Sequence, residues 1–191
     1  DPASATRSEG AAGGQTQRSP PPRPPLPGAT PPAPGGGGSF SIKIFDLAVS
    51  ATGIPLAMAR REGFDALHAF VVQADRAHFY PTQDLMYLIL TVDRKTRRIL
   101  GAQGVAGNGD ALVGRINSIA GILPYHATVD DISNLEVAYS PPYASALDIV
   151  NAAANTAENI LDGYNRPMDV DEFERCFLDE KADDTLCLDV R

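Results

Sequence analysis

Several signatures of self-sufficient chemistry are missing from this chain of 191 residues. No GxGxxG follows a strand pattern, and no GxxxxGK precedes a Ser or Thr, so neither common nucleotide-cradling loop is supported. GNGD (Gly107–Asp110) has the small residues of such a loop without its spacing, and reads as a turn into a helix. His68, His78 and His126 are the only histidines, and none pairs with another His or a Cys at ligand spacing. A zinc site is therefore not expected. There is no GxSxG elbow and no cysteine in a basic setting, which leaves nucleophilic catalysis by this chain alone unsupported.

Other absences bound the setting. Cys176 and Cys187 form neither a CxxC nor a disulfide lattice, which points to a cytoplasmic, reducing compartment. No apolar run reaches membrane-spanning length and no charged-then-apolar leader opens the chain, so no membrane partner is expected. The net charge of −8 argues against a nucleic-acid partner, whose phosphates demand a basic surface. Much of the acid lies in MDVDEFERCFLDEKADD, read as a solvated helical face and loop.

Proline and glycine, by contrast, are concentrated at the start. Residues 1–38 hold ten of the 16 prolines and eight of the 17 glycines, with Leu26 as the one large aliphatic side chain. Such a segment cannot bury enough surface to offset its ordering entropy, so it is expected to be a disordered tail. Within it, SPPPRPPLP has the PxxP spacing that docks on aromatic grooves, although a low-complexity linker is the plainer reading. GGGGS before Phe40 fits a flexible spacer. Asp at position 1 points to a processed product or a fragment.

Order is expected from Phe40. FSIKIFDLAV changes its alternation at Phe45, which reads as a bulged strand or a strand covered on both faces. TGIPLAMARREG predicts a short helix with Pro55 at its first position and Gly63 as its stop. ALHAFVVQAD and LMYLILTV read as strands, and the charged turn from Asp93 to Arg97 links the second to a further strand as an antiparallel hairpin. Leu112, Ile116, Ile119 and Leu123 define a helix that Asp110 could cap. Thr128 and Asp131 approach a capping box. From Ser145, Leu147, Val150, Ala154, Ala157 and Leu161 mark one helix face, closed by Gly163. The small residues of NAAANTAEN suit close helix approach, at a dimer seam or in the core. DVDEFERCFL predicts a further short helix, and TLCLDVR a strand with Cys187 buried inside it. Strands first and helices later give an α+β fold with a mostly antiparallel sheet and helices packed beside it.

Four stretches carry a resemblance: KIFDLAVSATG, RAHFYP, DRKTRRILGAQGV and LEVAYSPPYASALDIVN. In their order and approximate spacing they resemble the C-terminal dimerisation domain of FAD-dependent pyridine-nucleotide disulfide oxidoreductases, over residues 39–163. The likeness is greatest to the branch of coenzyme A disulfide reductases, coenzyme A persulfide reductases and NADH oxidases. Relatives acting on glutathione disulfide place a His–Glu pair in this domain; EVAYSPPYASALDIVN contains no histidine and offers tyrosines instead. Residues 164–191 then resemble a linker and the start of a truncated rhodanese-like domain.

The resemblance implies a homodimer in which each copy lends residues to its twin's flavin site, on a substrate of the coenzyme A disulfide or persulfide type. Tyr139 and Tyr80 match the tyrosines credited with catalysis. Tyr143 and His78 are substrate-binding candidates, and a buried interface aromatic is the alternative for each tyrosine. Tyr139-Ser140-Pro141-Pro142-Tyr143 is stiff, because proline fixes its own φ and restricts the residue before it. A phenol titrates near ~10, so at neutral pH it is a proton-bearing donor that can stabilise a departing thiolate. FAD and NAD(P)H belong to the complete parent enzyme, and none is expected on this chain alone, which lacks their segments and the redox cysteine. The competing expectation is a non-catalytic homodimerising interaction module whose proline-rich tail recruits a partner.

Overall fold

The structure is a computed structural model that describes residues 38–179, Leu186 and Leu188. The proline-rich tail and its PxxP segment lie outside the described residues. So do Cys187 and most of the strand expected over TLCLDVR.

The chain first builds β1 (Phe40–Ile44) and β2 (Leu47–Gly53). Ile44 pairs with Leu47, leaving Phe45 and Asp46 as a two-residue turn in which Phe45 takes a positive φ of 53°. The expected single bulged strand is thus a hairpin. Ile44 and Leu47 share a face although only two residues stand between them, so the apolar alternation switches from even to odd numbers at the turn. A shift of phase in the sequence is what a tight hairpin and a bulge have in common.

Pro55 precedes α1 (Leu56–Arg61) as its cap rather than opening it, and Gly63 follows with φ 87°. Next come β3 (Ala66–Ala74), β4 (Leu85–Asp93) and β5 (Ile99–Ala106). All pairings are antiparallel, in the order β1-β2-β5-β4-β3. The α+β expectation holds, with the five-stranded sheet as its base. His68 stands on β3, an edge strand.

Helices cover one face of that sheet. In α2 (Gly109–Ile122), Leu112, Ile116 and Ile119 are fully buried at helical spacing. They pack over small residues of β5. A side chain at Gly104 would stand 2.5 Å from Leu112 Cδ1 and 3.0 Å from the Tyr87 carbonyl, so only glycine lets the helix sit this low. The cap of α2 is Asn108, whose Oδ1 accepts from the Ala111 N–H at 3.4 Å; Asp110 stands one position inside the helix. That corrects the expected cap by two residues and confirms GNGD as a helix-starting turn.

A short 3₁₀ turn (Leu123–Tyr125) leads to His126, half-buried against Arg98. Thr128 and Asp131 then form the complete capping box of α3 (Val129–Ser133). The Thr128 backbone N–H and hydroxyl hold the Asp131 carboxyl below its ordinary pKa.

The last core helix, α4 (Ile149–Leu161), starts later than expected, capped by Asp148. Leu147 stays outside it: the side chain is exposed and its carbonyl accepts from Gln73 Nε2 at 2.6 Å. Ala153, Ala154 and Ala157 are completely buried in the same core cluster as β4 and α2. Of the two roles open to this small-residue stretch, these three positions serve core packing. After Gly163, the expected helix is one turn, α5 (Val170–Phe173), widening into a π-type turn over Glu174–Asp179.

The core is therefore a single layer between helices and sheet, centred on Met86, Leu88, Leu90 and Val92 of β4, each fully buried. Burying such side chains contributes roughly 1.5–3 kcal/mol apiece. Among the described residues no helix is long and apolar enough to cross a membrane.

Candidate functional site

The two tyrosine-bearing stretches are the β3–β4 connection (75–84) and the α3–α4 connection (134–148). Both are loops in which backbone and buried polar groups replace regular structure.

Asp75 closes the first. Its N–H donates to the Asp84 carbonyl at 2.9 Å, and the Asp84 N–H returns to Asp75 Oδ1 at 3.0 Å. Arg76 Nη2 and Asn108 Nδ2 each donate to Asp75 Oδ2 at 2.7 Å. The side chain is almost wholly buried. Burial pushes this carboxyl up, but the hydrogen bonds from Arg76, Asp84 and Asn108 and the Arg76 charge outweigh it. They hold the group below the ordinary 3.8. Inside the closed loop, the Tyr80 N–H donates to Ala77 and the Gln83 N–H to Tyr80, both at 3.0 Å. Tyr80 is half-buried with Phe79 at a ring separation of 4.9 Å; His78 is exposed, edge-on to Phe79 at 5.7 Å.

In the second stretch, the Ser140 carbonyl accepts from the Tyr143 N–H at 2.8 Å and the Ala144 N–H at 3.0 Å. The double proline lies inside this turn, at positions where two missing N–H groups leave nothing unpaired. The stretches are then joined. Ala77 N–H donates to the Pro141 carbonyl at 3.0 Å, and the Ser145 hydroxyl lies 3.2 Å from the Ala74 carbonyl. Tyr80, His78, Tyr139 and Tyr143 thus stand on two loops that share one hydrogen-bonded corner of the fold.

Tyr139 is 53% exposed and lines a hollow of about 300 Å³ with Glu136, Ser145, Asp148 and Asn151. Tyr143, 75% exposed, lines a neighbouring hollow of about 330 Å³ with Arg115 and Ser118. Tyr80 and His78 line neither. Tyr139 and Tyr143 present their rings to solvent, unlike a buried structural tyrosine that satisfies its hydroxyl within the protein.

Sequence reasoning missed the polar frame of this corner. Arg115 of α2 donates from Nε (3.1 Å) and Nη2 (2.8 Å) to Asp148 Oδ2, and Nη2 also reaches the carbonyls of Asp75 (3.3 Å) and Tyr143 (3.2 Å). Asn151 Nδ2 holds the carbonyls of Ile132, Ser133 and Leu135 at 2.9–3.2 Å. A charged residue directly beside the apolar stripe of α2, and an Asp directly before α4, were the available signals.

A side chain at Gly107 would run into the Asp84 carboxylate, so GNGD is packed against a negative charge, which opposes a phosphate at that turn. Among the described residues no group of three His, Cys, Asp or Glu is placed to hold a metal ion.

Comparison with known proteins agrees with this architecture. Residues 39–150 match the pyridine nucleotide-disulphide oxidoreductase dimerisation domain. Over 115 residues the chain is 34% identical to an NAD(P)H sulfur oxidoreductase (CoA-dependent) of Pyrococcus abyssi, covering 60% of this chain and 25% of that protein. It is 28% identical over 121 residues to a coenzyme A disulfide reductase of Staphylococcus epidermidis, covering 63% and 27%. Among solved structures, an NAD-dependent persulfide reductase from A. fulgidus superposes with a TM-score of 0.66 at 34% identity, over 70% of this chain and 25% of that one. The chain spans about a quarter of the length of the curated relatives it matches. Fold, matched residues and relatives together place this chain in the family of pyridine nucleotide-disulphide oxidoreductase dimerisation domains.

Proposed function

We propose that this chain is the dimerising part of an FAD-dependent NAD(P)H reductase of coenzyme A disulfide or persulfide, and that it presents Tyr139 and Tyr80 to the active site of a second copy. The flavin, reduced by NAD(P)H, supplies the electrons in such an enzyme, and is held by parts of the polypeptide other than the corner described above. The tyrosines supply hydrogen bonds. A phenol that donates to the sulfur of a departing coenzyme A thiolate stabilises charge where it develops, which lowers the barrier to S–S cleavage. Tyr143 and His78 flank the same corner and are assigned to substrate contact.

The observation that carries this reading is the state of Tyr139. Its ring is half exposed and lines a hollow, yet its backbone leads directly into a turn tied by Ser140 and Pro141. Holding the donor in place before substrate arrives reduces the ordering entropy of binding.

The test is made on the full-length polypeptide. Tyr139→Phe should lower kcat with coenzyme A disulfide by about 10²-fold, the scale on which one oxyanion-stabilising donor acts, and leave the KM for NAD(P)H unchanged. Sedimentation should show a dimer. A monomer, or a Tyr139→Phe enzyme with unaltered turnover, refutes the reading.

A further inference from the structure

We infer that Arg115 is a positioning residue for both tyrosine loops, acting through their backbones and without touching substrate. The inference rests on the functional reading above for its kinetic consequence, and on geometry alone for its structural one.

The guanidinium is anchored at its root. Leu112, Ile116 and Ile119 fix α2 against the sheet, and Arg115 projects from the turn between the first two. Its head then meets three chain segments at once. Asp75 begins the loop that carries His78 and Tyr80; Tyr143 ends the double-proline turn that follows Tyr139; Asp148 caps α4. Nη2 carries two protons and faces these three acceptors, so at least one bond is shared, while Nε makes a second bond to Asp148.

The arginine side chain is 14% exposed and that of Asp148 is 3% exposed, so this is a largely buried ion pair with little competition from water. A carboxylate on one side and two carbonyls on the other suit a planar fork of donors. A lysine ammonium, a point charge on a flexible stem, can keep the Asp148 pairing but loses the second bond to it. Pairing with Asp148 also neutralises the charge, so the carbonyl contacts act as a clasp and leave no free cation to bind an anionic substrate.

One further feature marks the clasp as specific to the loops. Apart from the contact between Ala77 and Pro141, the ties of Ser145 to the carbonyls of Ala74 and Arg76 and of Gln73 to that of Leu147, the two connections meet through Arg115. Removing the guanidinium therefore loosens the corner beyond what the unpaired Asp148 carboxylate costs the fold as a whole.

The experiment compares Arg115→Leu and Arg115→Lys with the parent chain by amide hydrogen exchange. The amides of Ala77, Tyr143 and Ala144, which report the corner, should exchange about tenfold or more faster in Arg115→Leu and by a smaller factor in Arg115→Lys. Leu90 in the core is the reference for global stability, and the corner amides should accelerate by a larger factor than it does. Corner amides that keep their protection overturn the inference, and so does a uniform acceleration that includes Leu90, which is global destabilisation. In the full-length enzyme, Arg115→Leu should reduce kcat with little change in the KM for NAD(P)H, and Arg115→Lys should recover part of the loss. An unchanged kcat in an enzyme that does depend on Tyr139 also overturns it. If Tyr139→Phe is itself without effect, the functional reading fails, and the exchange measurement alone decides the role of Arg115.

Discussion

The two faces of the sheet contrast along a single strand. In β4, Met86, Leu88, Leu90 and Val92 are sealed beneath the helices, while the interleaved Leu85 and Tyr87 remain 49% and 42% exposed on the other side. The open side continues across all five strands with Phe70 and Val72 of β3, Val105 of β5, Val49 of β2 and Phe40, Ile42 and Ile44 of β1. An antiparallel sheet with one wet face normally alternates apolar with polar residues, and near-continuous apolar strands belong to sheets covered on both sides. LMYLILTV is of the second kind, and on the side away from the helices the described residues bury Thr91 but leave Leu85 and Tyr87 exposed. The strand composition is thus matched to a larger body than the helices here provide, in keeping with a chain that spans a quarter of its relatives.

The sharpest test of the closed side is Leu90→Ala. Leu90 is completely buried at the centre of the core, so its truncation should destabilise the fold by about 2–5 kcal/mol in a denaturant titration, the range for buried leucines. A smaller effect follows at Asp75, which directly follows β3 and continues the alternation of its helix-side residues. A buried carboxylate there depends on Arg76, Asn108 and Asp84 for its tolerance. Asp75→Asn should lower stability by about 1.5–3 kcal/mol at neutral pH, the scale of hydrogen bonds to a charged group. Because the folded pKa is depressed, the carboxylate's contribution is fully present above the ordinary 3.8 and is lost as pH falls through the lower folded value. Stability of Asp75→Asn, followed by circular dichroism between pH 5 and pH 2 (about the span of the titration), should therefore fall less steeply than that of the parent.

How far this contrast was visible in the sequence differs between strand and loop. The strands and α2 follow from local periodicity, and Thr128 with Asp131 announced α3 by spacing alone. Phe45 misled because a hairpin and a bulge shift the alternation identically, and no Asn-Gly or Gly marks the turn. Asp110 and Ser145 misplaced two helix starts for one reason: several capping residues lie close together, and tertiary contacts select among them. The tyrosine candidates came from the resemblance, with the stiffness of the double proline as its physical support. Arg115 and Asp148 left only local signals, and the clasp they form was illegible, since the partners of Arg115 at Tyr143, Asp148 and Asp75 lie 28 to 40 residues away and only folding brings them together.

The comparison stands or falls on the open face, where the smallest effect is expected. Phe70 is 53% exposed, with Ile89 opposite it and Tyr87 diagonally across, stacked at 6.4 Å. Loss of one such cross-strand pair is worth roughly 0.2–1 kcal/mol, so Phe70→Ala should change the stability of the 191-residue chain several times less than Leu90→Ala. If the two substitutions cost the same, the open face is covered in solution. Repeating the melt over a range of protein concentrations then separates the possible covers. A melting temperature that rises with concentration identifies another copy, because association stabilises by mass action, while one that does not move places the cover within the same chain.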